Sequence, residues 1–298
     1  MKQDFPIFSR LVNGKPLVYL DNAATTQKPS CVIDAMSEFY SLSNANVHRA
    51  VHTLAGEATE GYEACRKLLK KRFNSDYAVI TSGTTEAINL VAHSWGEHNL
   101  ESGDVVVLTE MEHHSDIVPW QMLAERKSIE LRYVPVTENK LDMEAFKVAL
   151  DGAKLVCVVH TSNVLGVRNP VEEIISLSKD VGARVLLDAA QAVPHEHIDF
   201  IELGADFMAF SAHKMCGPTG IGALLVNDIS FSEMQPFMGG GDMIDQVTLE
   251  GSTYQTNEHK FEAGTPRIAE GVGWAAALEW MANIDLESHH KRLLSLAK

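Results

Sequence analysis

Positive charge is scarce in this chain: 25 Lys and Arg stand against 40 Asp and Glu, a net charge of -15 over 298 residues. A surface of that sign repels phosphate backbones and anionic headgroups, so neither nucleic acid nor membrane is expected as a partner. Long apolar runs are missing too. No stretch reaches the length that spans a bilayer, and the start MKQDFPIFSRL lacks the apolar centre of a secretory signal. The expectation is a soluble, cytoplasmic protein. Cysteine is sparse and scattered: Cys31, Cys65, Cys157 and Cys216 include no CxxC pair, which argues against a disulfide framework or a zinc knuckle. The HExxH pattern is absent. His48 and His52 have i, i+4 spacing but no third ligand at a matching interval, and Glu112, His113 and His114 fit no standard metal spacing, so no metal is expected. There is no internal repeat and no low-complexity tract, and Gly239, Gly240 and Gly241 read as a loop.

What is present is ordinary globular composition, 45% hydrophobic and 22% charged, with enough chain for one large core or two domains. Residues 31–41 and 54–73 carry helical spacing, and ITSGTTEAINLVAHSW reads as a loop opening a helix. Short apolar or β-branched runs follow at 105–109, 131–136, 154–162, 183–189, 207–211 and 222–227. Helical patterns at 115–127 and 170–181 lie between them, and 268–297 reads as amphipathic helix. This order predicts an α/β fold, a mostly parallel sheet covered by helices on both faces. Residues 21–266 are expected to form the large domain, with 1–20 and 267–298 contributing to a smaller α+β body.

Chemistry concentrates near two strand ends. Lys214, in FSAHKMCGPTGIG, follows a strand and would emerge at the carboxyl edge of the sheet, where open α/β folds bind ligands. Desolvation there can supply the neutral amine that forms a Schiff base. Asp188 closes RVLLDAAQA, and a carboxylate after apolar residues needs a cation or strong donors; the protonated nitrogen of a pyridine ring is one such partner. An amine and a carboxylate of this kind are what pyridoxal phosphate requires of a protein. A turn or capping aspartate is the plainer alternative. Gln191 and Asn163 can reach the ring hydroxyl. Gly83, Thr84 and Thr85 precede a helical pattern and offer amides and hydroxyls to a phosphate, although helix capping alone uses the same residues. Ser211 and His213 can complete that shell, with Thr265 a further donor, and His113 has a flat ring suited to stacking on a pyridine face.

Taken in order, YLDNAATTQKP, NVHRAVHTLAGEATE, SGTTEAINLVAHSW, EMEHHSDIVPWQML, HTSNVLG, LLDAAQAVPH, FSAHKMCGPTGIGAL and FEAGTP resemble the group II cysteine desulfurases of the SufS/CsdA type, which are fold type I pyridoxal phosphate enzymes of the class V aminotransferase set. The likeness runs from about residue 4 to the C-terminus. It implies that Lys214 is the Schiff-base lysine, Asp188 the pyridinium partner, and His113 a catalytic ring stacked on the cofactor. It places Gln191 and Asn163 at the ring oxygen, and Thr84, Thr85, Ser211 and His213 at the phosphate. Thr265 resembles the phosphate donor given by the other subunit of a homodimer, and His48, like Asn163, a substrate-side residue at the mouth of the site.

The reaction implied is removal of sulfur from L-cysteine to leave L-alanine, the sulfur being held as a persulfide and passed to an acceptor protein for iron-sulfur cluster assembly. In such enzymes the nucleophilic cysteine and the carboxylate-binding arginine lie in a segment expected beyond residue 298, so the chain reads as C-terminally truncated, with apolar surface left exposed on its final helices. Cys216 stands two residues from Lys214 on the same turn and is read as packing, as are Cys31, Cys65 and Cys157. The competing expectations are a pyridoxal phosphate lyase or aminotransferase that needs no thiol, and a non-catalytic cofactor-binding remnant that acts through a partner.

Overall fold

The computed structural model describes residues 2–48 and 51–296. Seven strands form the central sheet: β1 (Tyr77–Thr81), β2 (Val105–Thr109), β3 (Glu130–Val134), β4 (Ala153–Val159), β5 (Arg184–Asp188), β6 (Phe207–Ser211) and β7 (Gly222–Val226). Their order across the sheet is β1-β7-β6-β5-β4-β2-β3. β7 runs antiparallel to both neighbours, β1 and β6, and the remaining pairs are parallel. This is the fold type I arrangement, a mostly parallel sheet between layers of helix.

Continuous apolar strands are what a sheet buried on both faces requires. Alternation then sorts the side chains. Val107, Val156, Val158, Leu187, Met208 and Phe210 point into one core, against helices α2 (Thr53–Phe73), α5 (Val171–Asp180) and α6 (Ile268–Met281). Val106, Leu155, Cys157, Leu186, Phe207 and Ala209 point into the other, against α3 (Thr84–Leu90), Trp95 and α4 (Val118–Lys127).

Three expectations are corrected. β1 is not among the expected strands, and its last two residues, Ile80 and Thr81, open the run expected as a loop: YAVIT is only five residues long and runs straight into the glycine turn, so no period marks it. The last segment is not one amphipathic helix but two, α6 and α7 (Leu286–Leu296). α6 is buried nearly all round, from Ile268 and Trp274 to Met281, because it wedges between α2, α1 (Ser30–Glu38) and the sheet core. Its glycines permit that wedge; a Cβ on Gly271 would lie 2.6 Å from the Tyr62 ring. α7 buries no residue and leaves Leu293, Leu294 and Leu296 exposed, so the apolar exposure expected of the final helices is seen on α7 and not on α6. No helix among the described residues is long and apolar enough to cross a membrane.

Candidate active site

The loops after the carboxyl ends of β1, β2, β4, β5 and β6 meet over one edge of the sheet, where parallel strands leave a crevice. They enclose a cavity of about 430 Å³ lined by, among others, Thr84, His113, Asn163, Asp188, Gln191 and Lys214. Thr85, Ser211 and His213 line it as well. Nine of the residues read from the sequence, from Thr84 to Lys214, are thus gathered from five separate segments.

Asp188 lies at the last position of β5, only 3% exposed, and its Oδ1 accepts the Ala190 N–H at 2.9 Å. Burial raises its proton affinity; the Ala190 amide and the cationic forms of Lys214 and His113 oppose the rise without cancelling it. Lys214 shows the complementary shift, its ammonium disfavoured by burial and partly restored by Asp188. His113 is pinned from one side: its Nδ1 accepts the Ser115 N–H at 3.1 Å and meets the Ser115 hydroxyl at 2.8 Å. An N–H donated to Nδ1 leaves the ring proton on Nε2.

At the end of β1 the Thr84 N–H donates to Ser211 Oγ at 2.7 Å, and the two hydroxyls are 2.6 Å apart. Two glycines let these strand ends close. A Cβ on Gly222 would lie 2.5 Å from Gly83 Cα, and Gly83 itself has φ +153 with Ser211 Oγ 3.2 Å from its missing Cβ. Gln191 is held by its amide, which donates to the Ala23 carbonyl at 2.8 Å.

Sequence reading missed the strap that fixes the lysine turn. The His213 carbonyl accepts from the Thr26 N–H at 2.9 Å, the Thr26 hydroxyl at 2.9 Å, the Thr25 hydroxyl at 3.2 Å and Lys28 Nζ at 3.0 Å. Burial lowers the Lys28 pKa to about 8. Burial also lowers that of His213, with Lys214 and Lys28 adding to the effect. The run NAATTQKP carries no spacing that announces this role, because its donors serve a backbone carbonyl almost 190 residues away.

Two expected residues stay outside the cavity. Thr265 lies exposed on the loop before α6. His48 takes φ +64 and places Nε2 3.2 Å from Glu63 Oε1, with His259 Nε2 at 3.9 Å from the same oxygen. Burial works against the Glu63 charge, but hydrogen bonds from His48 and Arg66 bring its pKa down to about 2. These three groups lie close enough together to hold a metal ion, although Arg66 already takes the other Glu63 oxygen at 2.9 Å. His52 does not join them; it caps α2 by accepting the Ala55 N–H at 3.2 Å. The i, i+4 pair was therefore never on one helix face.

Residues 18–298 match the family described as aminotransferase class-V. The chain belongs to that family. It is 48% identical over 292 residues to a probable cysteine desulfurase of Mycolicibacterium paratuberculosis, covering 96% of this chain and 43% of that protein. It is 47% identical over 295 residues to a probable cysteine desulfurase of Synechocystis sp., covering 97% of this chain and 70% of that one. The apo structure of cysteine desulfurase from Thermococcus onnurineus NA1 superimposes with a TM-score of 0.90 at 39% identity, covering 96% of this chain and 71% of that one. The chain thus spans less than half of the first relative's length and about 70% of the others'.

Pyridoxal phosphate, the cofactor of the resemblance, fits the cavity of this family member. Asp188 is a buried carboxylate with a single backbone donor, facing open space, and a ring N–H is the partner it lacks. The Thr84–Ser211 hydroxyl pair, approached closely only because Gly222 and Gly83 have no Cβ, is a cradle for an anionic group.

Proposed function

We propose that this chain is the cofactor-bearing part of a pyridoxal phosphate-dependent cysteine desulfurase, acting on L-cysteine to leave L-alanine and sulfane sulfur. The observation that carries this reading is that Lys214 and Asp188 line one cavity and act on each other electrostatically there. When bound, the cofactor supplies an electron sink for the bond broken at the substrate Cα. Lys214, whose ammonium form burial disfavours, holds the cofactor aldehyde and then takes and returns the Cα proton. Asp188 holds the proton on the ring nitrogen. His113, fixed by Ser115, covers the ring face, and Gln191 and Asn163 address its oxygen. Thr84, Thr85, Ser211 and His213 receive the phosphate.

The sulfur-accepting thiol is a different matter. Cys65 and Cys157 are buried, and burial raises the proton affinity of all four thiols, the opposite of what a nucleophile needs. The Cys216 N–H donates to Thr26 Oγ1 at 2.9 Å, which holds it to the same strap as the lysine turn. The nucleophile is therefore assigned to a part of the complete protein outside these residues. The same reading has residues 1–20 and 267–298 joining a smaller body, Thr265 serving the partner's phosphate in a cytoplasmic homodimer, and the sulfur passing to an acceptor protein for iron-sulfur assembly. L-cysteine added to the cofactor-loaded chain should change its visible absorption, whereas L-alanine at the same concentration should change it less. A spectrum indifferent to L-cysteine would remove the substrate assignment.

A further inference from the structure

On either side of His113 in sequence, two carboxyl groups are sealed into the core, and no salt bridge to a cation reaches them among the described residues. Glu112 is 7% exposed and Asp116 0%. Each has one oxygen in use. Glu112 Oε1 accepts the Thr109 hydroxyl at 2.6 Å and the Val159 N–H at 3.0 Å, and Asp116 Oδ1 accepts the Trp120 indole N–H at 2.9 Å. Each has a second oxygen, Glu112 Oε2 and Asp116 Oδ2, that is buried and receives no N–H or hydroxyl; what lies within reach of the Asp116 carboxyl is the Cys157 thiol and the Glu112 carboxyl itself. The ionisable groups facing the pair are each other, the Cys157 thiol from β4 and the Asp188 carboxylate from β5. Every one of these is neutral or anionic. Two bare carboxylates in such a place would each forfeit hydration with nothing to replace it.

We propose that Glu112 and Asp116 share one proton, held between their two free oxygens, and that this singly charged pair fixes the loop that presents His113. A shared proton satisfies both orphaned oxygens at once, as in other close carboxyl pairs. The loop geometry makes the pair a positioning device. Glu112 ties the chain just before His113 to the ends of β2 and β4, and Asp116 ties the turn His114–Asp116 just after it to α4. Losing the proton would place a second buried negative charge near Asp188 and drive one side chain out, taking the His113 loop with it. The shared proton stands whatever the cavity binds; its consequence for His113 rests on the cofactor reading above.

Asp116→Asn separates these claims. The amide keeps an oxygen for the Trp120 indole and donates an N–H to Glu112 without a titrating proton. Burial and the neighbouring acids raise the proton affinity of the folded pair, so its contribution to stability is complete at low pH and is lost as pH rises through the folded value. Thermal unfolding of the unloaded chain, followed from about pH 5.5 to 9, should show the wild type losing about 3 °C or more relative to the variant. Parallel curves would overturn the shared proton. Should the asparagine variant not fold, Glu112→Gln makes the same comparison with the same expected sign. Titration of pyridoxal phosphate into both proteins then reads the loop: affinity should fall faster with pH in the wild type, and equal slopes overturn the link to His113. If neither protein takes up the cofactor at any pH, the cofactor reading fails, and with it that link, while the melting curves still decide the proton.

Discussion

At Asp188 burial and charge are at odds, and its tolerance there depends on what it meets in the cavity. Its one donor, the Ala190 amide, would serve an asparagine side-chain oxygen equally well. Asp188→Asn should therefore leave folding nearly unchanged. A charge-assisted hydrogen bond to the ring nitrogen is worth about 1.5–3 kcal/mol, so equilibrium dialysis should show cofactor affinity falling by roughly 10- to 150-fold. Unaltered affinity would mean that the ring does not bind in this orientation. Lys214 and Asp188 were legible because each interrupts an apolar strand end with a charge that needs a reason. His48 was not, because its partners Glu63 and His259 come from a helix and a distant loop that no local spacing links to it. Lys28 stayed invisible because it binds a carbonyl, and any residue supplies one of those.

At the scale of elements, the site depends on how closely β1 and β6 approach through β7. Gly222 pairs with Thr81 on one side and Ser211 on the other, and the missing side chain is what admits Gly83. Gly222→Ala would put a methyl group 2.6 Å from the Phe210 carbonyl as well as against Gly83, neither of which is the flexible end of a side chain. Denaturant unfolding should show a loss of about 1–3 kcal/mol, with weaker phosphate affinity accompanying it. A variant as stable as wild type would show that the two loops are not held by this contact. The apolar runs of β2 to β7 announced a covered sheet from sequence, and the observed strands fall within a residue or a few of the expected spans. The antiparallel sense of β7 was not readable, since buried strands of either direction carry the same residues. The order of the strands was hidden for the same reason: pairing partners lie far apart in sequence.

On the scale of the whole molecule, a seven-stranded sheet with a core on each face carries most of the cavity-lining residues, joined by Asp21, Ala23 and Ala24, whereas helix α7 is attached without burying a side chain. The fold built on that sheet and its family are plain from this chain. The thiol step is not, because none of the four cysteines has the exposure and lowered proton affinity that step demands. The central claim is that one amine in the whole chain is set apart to hold the cofactor. It is tested most directly by incubating the protein with pyridoxal phosphate, reducing with borohydride and mapping the modified peptide by mass spectrometry. A single stable adduct at Lys214, absent from Lys214→Ala, is the predicted result. Modification spread over surface lysines, or an adduct that persists in Lys214→Ala, would contradict it.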